Sequence, residues 1–504
     1  MIMALALPLV LLIYILGLDS MVDLPLMEEQ YAFLALGLGL GTMWYRDRKW
    51  LAWTAVGIGT ACSLLIYEFS LNQAFGPWYQ KTPFLALLPF VLFSTWTRVS
   101  KAFTLLVGAF IVYGMFGHLV PGSLQGADIP VWEYLTLMTY DKQAIIGIPF
   151  SITMTIVFAF VLFGRTMQMG GVGDWINAAS FRVLGRTRGG PAKIAVISSG
   201  LFGSFSGSAV ANVITTGAIT IPTMIRTGYS RVTACALEAT ASTMGQILPP
   251  VMGASAFIMA ELTGTSYVDI ATFALVPALV CYAILFAIVH FLGERVDIPG
   301  APIIWADGVR YGVPVAILVY LALSFFPLDV AAIISVVVAL FLTKRQGEDI
   351  LDRTRKVLIK SGDDIGQLLV IAAGCGFIIS TLDQSGLSFN LSYVLSEIGG
   401  SSMFLLLVLT AVACIVLGMG MPTASAYIIV ALLIAPSLVE LGIDEIEAHM
   451  FVLYYAVLSM VSPPVALAAF SASRIGEVEP MRVALRATLF AIPMAVIPFV
   501  WIYV

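Results

Sequence analysis

The chain has 504 residues and a net charge of −5, and 60% of its residues are hydrophobic whereas only 11% are charged. Its mean hydropathy is +0.98, while about a quarter of the residues in soluble domains are charged. This composition excludes a water-soluble fold, because a chain of this length cannot hide so much apolar surface from water. We therefore expect an all-α integral membrane protein that is surrounded by the lipid bilayer and has no nucleic-acid partner.

Apolar stretches of about 20 residues, the length that crosses a bilayer as a helix, follow one another from the N-terminus. They lie near 2–18, 30–45, 50–70, 83–97, 101–120 and 142–164. Basic clusters such as Arg46 to Lys49 lie between them, and basic segments face the cytoplasm. The first stretch lacks the basic segment that begins a signal peptide, so we expect a retained helix. The pattern predicts a multi-pass inner-membrane protein with a cytoplasmic N-terminus and a periplasmic C-terminus.

The segment from Pro191 to Thr227 has basic residues near both ends, so both ends are expected on the cytoplasmic side. Its middle, Gly200-Leu-Phe-Gly-Ser-Phe-Ser-Gly-Ser208, is rich in glycine and serine, which let the backbone turn sharply. We predict a re-entrant hairpin over about 191–227. Irregular backbone at membrane depth is tolerated where it lines a cavity in the protein. Two ordinary spans around a short loop remain the alternative.

A second long apolar segment, Ser402 to Leu441, lies in a region without any Lys or Arg between Lys360 and Arg474. Its middle, Gly418-Met-Gly-Met-Pro-Thr-Ala-Ser425, contains a proline, which removes a backbone donor and breaks a helix. Acidic residues flank this segment, so we place its ends outside. We predict a second hairpin over about 402–441 that points toward the first from the opposite side of the membrane.

The two hairpins belong to a repeated order of elements. A double proline interrupts the span after each of them, at Pro249-Pro250 and at Pro463-Pro464. Ser208 lies 41 residues before Pro249, and Pro422 lies 41 residues before Pro463. Before the hairpins come apolar spans near 142–164 and 365–382 and amphipathic arms at about 173–187 and 387–398. This order predicts inverted repeats over about 140–300 and 355–504, and such interrupted segments indicate the ion and solute sites of secondary transporters.

Several runs around these segments carry a family resemblance. They are Gly189-Gly-Pro-Ala-Lys193, Ser204-Phe-Ser-Gly-Ser-Ala-Val-Ala-Asn-Val213, Glu238-Ala-Thr-Ala-Ser-Thr243, Pro249-Pro-Val-Met-Gly253 and Gly418-Met-Gly-Met-Pro422. They resemble the large membrane domain of tripartite ATP-independent periplasmic (TRAP) transporters, most closely the fused membrane subunit of the TAXI type. The resemblance extends from about Tyr140 to the C-terminus. We assign 126–504 to the large domain and 1–125 to helices that resemble the small membrane domain in pattern alone.

The resemblance implies an elevator carrier of the ion-transporter type, whose hairpins move with the substrate against a fixed scaffold. It also implies a separate periplasmic binding protein of the TAXI type, a small organic anion such as a C4 or C5 dicarboxylate as substrate, and Na+ or H+ as coupling ion without another cofactor. The implied cation-binding residues are Ser206, Ser208, Asn212 and Gly245 in one repeat and Gly420, Thr423, Ser459 and Pro463 in the other. The implied substrate contacts are Ser204, Thr243 and Thr423. Close helix packing explains each small residue equally well.

Glu238 is an acid within the first interrupted span, and acids inside a membrane are costly and often mark ion paths. It is a candidate proton carrier that acts in place of sodium or beside it. The alternative is that Glu238 pairs with Arg231 or with another polar group near the inner interface.

Other classes of function are compatible with parts of this pattern. A channel also uses glycine-rich re-entrant loops, although the two tips here differ in sequence. An intramembrane enzyme needs paired acids, a nucleophile with a base, or metal ligands, and the sequence shows none with convincing spacing, so we expect no enzyme. The nearest alternative is a carboxylate symporter with the same hairpins that works without a binding protein. The long N-terminal block of spans favours the tripartite interpretation.

Overall fold

The computed structural model describes residues 2–20, 26–71, 78–141, 144–295, 303–324, 326–344, 347–388, 390 and 402–503. These residues form helices and short connections, without a β-sheet in the described part of the chain. Nine of the described helical segments are long and apolar enough to cross a membrane. The prediction of an all-α, multi-pass membrane protein is therefore confirmed.

The N-terminal block contains five helices, and a shorter sixth helix follows it. They are α1 (Ile2–Ile15), α2 (Glu28–Trp44), α3 (Lys49–Leu71), α4 (Trp78–Ser94), α5 (Lys101–Phe116) and α6 (Val131–Tyr140). The first five coincide with the predicted spans to within a few residues at most ends. Helices α2 and α3 approach closely because both carry glycine at the crossing. A Cβ added to Gly59 would lie 2.6 Å from the Cα of Gly37.

The first repeat contains a span, an arm, a hairpin and an interrupted span, followed by one long helix. They are α7 (Ile148–Ile152) with α8 (Phe158–Gly170), then α9 (Val172–Leu184), α10 (Gly190–Ser206) with α11 (Ala209–Arg226), α12 (Arg231–Met244) with α13 (Ala254–Thr263), and α14 (Tyr267–Leu292). A π-helical turn, Thr153–Val157, joins α7 and α8 into one span. This span begins and ends about six residues later than predicted, since Pro149 lies in its first turn and Gly171 ends it in a left-handed conformation.

The second repeat follows two connecting helices, and its described residues have the same order of span, hairpin and interrupted span. The helices are α15 (Trp305–Leu323), α16 (Leu328–Leu342), α17 (Ile350–Ser385), α18 (Met403–Gly418), α19 (Thr423–Glu440), α20 (Glu445–Leu458), α21 (Leu467–Gly476), α22 (Pro480–Phe490) and α23 (Ile492–Tyr503). The span predicted at 365–382 is only the apolar part of α17, which has 36 residues. Most of the arm predicted at 387–398 lies outside the described residues.

The two interrupted spans run in opposite directions. Helix α12 opens the first and α21 closes the second, yet the start of α12 lies beside the end of α21. The Arg231 guanidinium donates to the carbonyl of Gly476 at 3.0 Å, and a Cβ on Gly476 would overlap the Sγ of Cys235. The first span thus starts on the side where the second one ends, which is the arrangement that an inverted repeat requires.

Helix α17 attaches the N-terminal block to the second repeat. Two of its glycines allow this close approach. A Cβ on Gly362 would overlap the carbonyl oxygen of Ala4 in α1, and one on Gly366 would lie 3.2 Å from the Cα of Gly39 in α2. Helix α17 also packs against α5 and α8. It therefore places the N-terminal block beside one wall of the site described below.

Candidate functional site

A cavity of about 400 Å³ lies where the two hairpin tips and the two interrupted spans meet. The first tip contributes Ser206 to Ser208, and the second contributes Pro422 to Ala424. The interruptions contribute Gln246 with the segment Val251 to Ser255, and Met460. Helices α8 and α17 complete the wall. The segments in which the sequence predicted the site therefore face one common space.

Four helices begin at this cavity. Their first residues, which all line it, are Ala209 of α11, Ala254 of α13, Thr423 of α19 and Leu467 of α21. Only α11 has a side-chain cap, formed by Ser208. A helix N-terminus carries partial positive charge and unpaired amides. Four of them around one cavity make it attractive to an anion.

Arg165 of α8 is the basic residue of the cavity wall. Its guanidinium forms a two-pronged pair with Asp364 of α17, in which Nε contacts Oδ2 and Nη2 donates to Oδ1 at 2.8 Å. Nη1 donates to the Oε1 of Gln168 at 2.7 Å. A guanidinium has five N–H groups, so within the described residues two of those of Arg165 are left for a carboxylate. Sequence reasoning missed Arg165, although a single basic residue at the end of an apolar span was a visible signal.

Asn212 and Gly245 lie together behind the first tip. The Asn212 amide nitrogen donates to the carbonyl of Ser199 at 2.7 Å and to that of Ser242 at 3.4 Å. Gly245 packs against Gly203, and a Cβ added to either glycine would lie 2.7 Å from the Cα of the other. The interrupted span therefore meets the hairpin by direct backbone contact. Only glycine at both positions permits that contact.

Ser206 and Ser208, the other two residues implied for the first cation, lie at the tip and line the cavity. The hydroxyl of Ser208 accepts from the backbone N–H of Ala211 at 3.4 Å. The buried hydroxyls of Ser206 and Ser255 have no hydrogen-bond partner within the described residues. Neutral hydroxyl and carbonyl oxygens are ligands that hard cations prefer. The residues present at this tip therefore fit a coupling cation such as Na+.

In the second repeat, Ser459 occupies the position that corresponds to Gly245. Its hydroxyl donates to the carbonyls of Ala456 at 2.7 Å and Gly418 at 3.2 Å. A Cβ on Gly418 would lie 2.7 Å from the Cβ of Ser459, so this hairpin too meets its interrupted span closely. The structure thus repeats the contact between Gly203 and Gly245 with a serine on one side.

The remaining residues implied for the second cation surround the other tip. Gly420 has a φ of +71°, and a Cβ added there would lie 3.1 Å from Val465, two residues after Pro463. The hydroxyl of Thr423 donates to the side-chain oxygen of Gln246 at 2.8 Å. This bond links the second tip to the first interrupted span. Sequence reasoning did not select Gln246, which is buried and lines the cavity.

The three residues implied for the substrate lie at different depths. Thr423 lines the cavity, whereas Ser204 and Thr243 are buried and are not among the described lining residues. The hydroxyl of Ser204 donates to the carbonyl of Leu201 in its own helix at 2.9 Å. The hydroxyl of Thr243 has no partner within the described residues. Of the three, only Thr423 is placed to touch a solute in this conformation.

Glu238 is fully buried between the first hairpin and α12. Its carboxylate accepts hydrogen bonds from the hydroxyls of Ser199, Thr216 and Thr220, each at 2.6 Å, and from Ser242 at 3.2 Å. The alternative that Glu238 pairs with Arg231 is wrong, because the guanidinium of Arg231 is directed at Gly476 and Glu477 instead. The carboxylate has polar neighbours, as that alternative also foresaw, and they are buried hydroxyls of the hairpin and of α12.

The match to a known family decides what kind of protein this is. Residues 87–504 match the family model described as the tripartite ATP-independent periplasmic transporter, DctM component. The chain belongs to this family. TRAP permeases are membrane transporters rather than enzymes, and they work with a periplasmic substrate-binding protein. The family that the sequence motifs indicated is therefore confirmed.

Named relatives agree with this assignment. The C4-dicarboxylate TRAP transporter large permease protein DctM of Pseudomonas aeruginosa is 28% identical over 386 residues, which cover 73% of this TRAP permease and 84% of the relative. The 2,3-diketo-L-gulonate TRAP transporter large permease protein YiaN of Escherichia coli is 22% identical, and the alignment covers 67% of this chain and 79% of YiaN.

A solved structure shares the fold. The structure of the Alcanivorax borkumensis YdaH transporter matches with a TM-score of 0.56 at 15% identity, and the match covers 80% of this chain and 98% of that one. At this level of identity the likeness concerns the fold alone. It agrees with the arrangement of helices described above.

Proposed function

We propose that this permease imports a small organic anion, a carboxylate, across the inner membrane by cation-coupled secondary transport. The observation that carries the proposal is the cavity between the two tips, which is lined by the first residues of four helices and by Arg165 in its pair with Asp364. Such an arrangement favours a bound carboxylate. C4 and C5 dicarboxylates are the first substrates to test, since one relative is named for C4-dicarboxylates.

The coupling ion in this proposal is Na+ or H+. Sodium would bind near the hairpin tips through neutral oxygens, with Ser206, Ser208, Asn212 and Gly245 around one ion. Gly420, Thr423, Ser459 and Pro463 would surround the other. Buried hydroxyls without partners in the described chain, such as that of Ser206, support this assignment. Glu238 is the candidate carrier for a proton.

The proposed motion is of the elevator type. The first hairpin, α12, α21 and α22 pack against one another, whereas α1, α2 and α5 pack against α17. The two groups would form a moving body and a scaffold. In this proposal the first hairpin enters from the cytoplasmic side, the N-terminus is cytoplasmic and the C-terminus is periplasmic. The binding protein is of the TAXI type, and the N-terminal helices take the place of a fused small membrane domain.

Uptake into liposomes that contain the purified permease tests the proposal. Labelled succinate and glutarate are supplied with and without a TAXI-type binding protein, under a Na+ gradient, a pH gradient or none. We expect saturable uptake that needs a gradient and the binding protein, and loss of uptake in Arg165→Ala. Arg310→Ala is the matched control, because Arg310 lies on α15 and pairs at the exposed surface with Asp307.

Each rival function gives a different result in this assay. Gradient-driven uptake by the permease alone would indicate a symporter that works without a binding protein. Uptake that does not saturate and follows the solute gradient would indicate a channel. Normal uptake by Arg165→Ala would remove Arg165 from the substrate site.

A further inference from the structure

Glu238 joins three separate stretches of the first repeat. Ser199 belongs to α10, Thr216 and Thr220 belong to α11, and Ser242 lies one turn after Glu238 on α12. All five side chains are at most 1% exposed. Hydrogen bonds to a carboxylate are stronger than those between neutral groups. The two arms of the hairpin are therefore fastened to the interrupted span through a single carboxylate.

The bonds continue from Glu238 toward the first candidate cation site. The hydroxyls of Ser199 and Ser242 donate to Glu238 at 2.6 and 3.2 Å. The amide nitrogen of Asn212 in turn holds the carbonyls of Ser199 and Ser242. Glu238 is not among the described residues that line the cavity. It can thus affect the cation site through Asn212 without itself touching the substrate.

The second repeat builds the same backbone without such a carboxylate. A shift of 214 positions relates Gly245 to Ser459 and Pro249 to Pro463. The same shift relates Glu238 to Val452, Thr216 to Val430 and Thr220 to Ile434. These three apolar residues are also buried. A hairpin of this kind therefore packs on its interrupted span without a carboxylate, since the second repeat uses a neutral hydrogen bond between Tyr427 of α19 and His449 of α20 at 2.8 Å. The carboxylate thus serves something particular to the first repeat.

We propose that Glu238 is a positioning residue of the first cation site. Its four hydrogen bonds hold the hairpin and α12 in the register that places Asn212 and the backbone around Gly245 for the ion. This inference rests on the proposed cation-coupled function and deepens it. It assigns Glu238 to holding the residues of the first cation site in position, instead of to proton transfer. The second site needs no such group.

Three variants test this role. Glu238→Gln keeps the shape and one acceptor oxygen, and Glu238→Leu removes every acceptor. Glu261→Gln changes an acid on α13 that, among the residues the structure describes, has no contact with this network. Two quantities are measured for each variant, one in reconstituted protein and one in purified protein. They are the half-saturating Na+ concentration for uptake of the carboxylate and the rise of the melting temperature with added Na+.

We expect the half-saturating Na+ concentration of Glu238→Gln to stay within about threefold of that of the unmodified chain. That of Glu238→Leu should be at least about tenfold higher. The substrate KM at saturating Na+ should change little in both, since Glu238 does not line the cavity. Glu261→Gln should resemble the unmodified chain. If Glu238→Leu does not fold, Thr220→Val removes one donor and should raise half-saturating Na+ by about threefold.

Several results would overturn the inference. One is a Glu238→Gln variant as defective as Glu238→Leu, with uptake that no longer responds to pH, which would identify a proton carrier. Another is a Glu238→Leu variant with unchanged Na+ dependence. If the unmodified chain shows no gradient-driven uptake, the proposed function fails and the inference fails with it. A chain that transports with protons alone and loses this in Glu238→Gln would refute only the positioning role.

Discussion

Replacing Gly245 by alanine tests whether backbone contact between hairpin and interrupted span forms the first cation site. Gly245 has a φ of −59°, which alanine adopts without strain. The added methyl group would lie 2.7 Å from the Cα of Gly203, whereas ordinary contact begins at 3.4 Å. The two backbones must therefore separate by about 0.7 Å. Neither atom belongs to a flexible side chain that can turn away.

Overpacking of this kind costs about 1–3 kcal/mol in a well-packed interior. If the cation requires the close arrangement, the cost appears as roughly a 5- to 150-fold higher half-saturating cation concentration. The assay is uptake by reconstituted permease at a series of cation concentrations, with the binding protein and substrate saturating. Gly312→Ala on α15 is the control, since no atom of the described residues lies within 4 Å of the added methyl there. A Gly245→Ala variant with normal cation dependence and a normal melting temperature would refute the reasoning.

Three further substitutions probe the same site. Arg165→Lys keeps the charge but cannot form the two-pronged pair with Asp364. We therefore expect kcat/KM for uptake to fall at least about tenfold. A fully active variant would show that charge alone suffices. Thr423→Val removes the hydroxyl that bonds Gln246 and should raise the substrate KM about fivefold, which a concentration series of uptake checks. Ser459→Ala leaves the backbone carbonyl in place and should change half-saturating cation by less than about threefold, so a larger loss would identify the hydroxyl as a ligand.

The sequence was sufficient to locate the two helix pairs that it predicted as hairpins. The predicted ranges 191–227 and 402–441 differ by one residue at each end from Gly190–Arg226 and Met403–Glu440. Charge marks where such a segment meets water, and glycine, serine or proline marks where it turns. Both signals depend on local chemistry, so they can be recognised in the sequence without knowledge of the fold.

Helix ends inside charged segments were not predictable in the same way. The apolar part of α17 suggested a span over 365–382, but the helix starts at Ile350, where the Asp349 side chain caps it. Hydropathy reports which residues contact lipid and says little about a helix that continues into water. The shift of the α7 and α8 span has a related cause, because local turn residues rather than hydropathy set its two ends.

The polar partners within the site could be only partly foreseen. Thr216 and Thr220 are four residues apart, as are Glu238 and Ser242, so each pair lies on one face of its helix. That spacing was visible in the sequence. The convergence of the two faces on one carboxylate depends on how α11 packs against α12, which no local pattern reveals. The pair of Arg165 and Asp364 likewise joins residues from opposite halves of the chain.

The two repeats share the backbone arrangement that forms the cavity, but they differ in the side chains that line it and lie behind it. Gln246 and Met460 occupy equivalent positions and both line the cavity, so a solute meets an amide on one side and a thioether on the other. Behind these walls, the first repeat carries the carboxylate of Glu238 where the second carries Val452. A symmetric pair of sites would bind two ions with equal affinity. The unequal interiors instead predict that the two proposed cations differ in affinity and in their response to substitution, even though their candidate sites share one backbone plan.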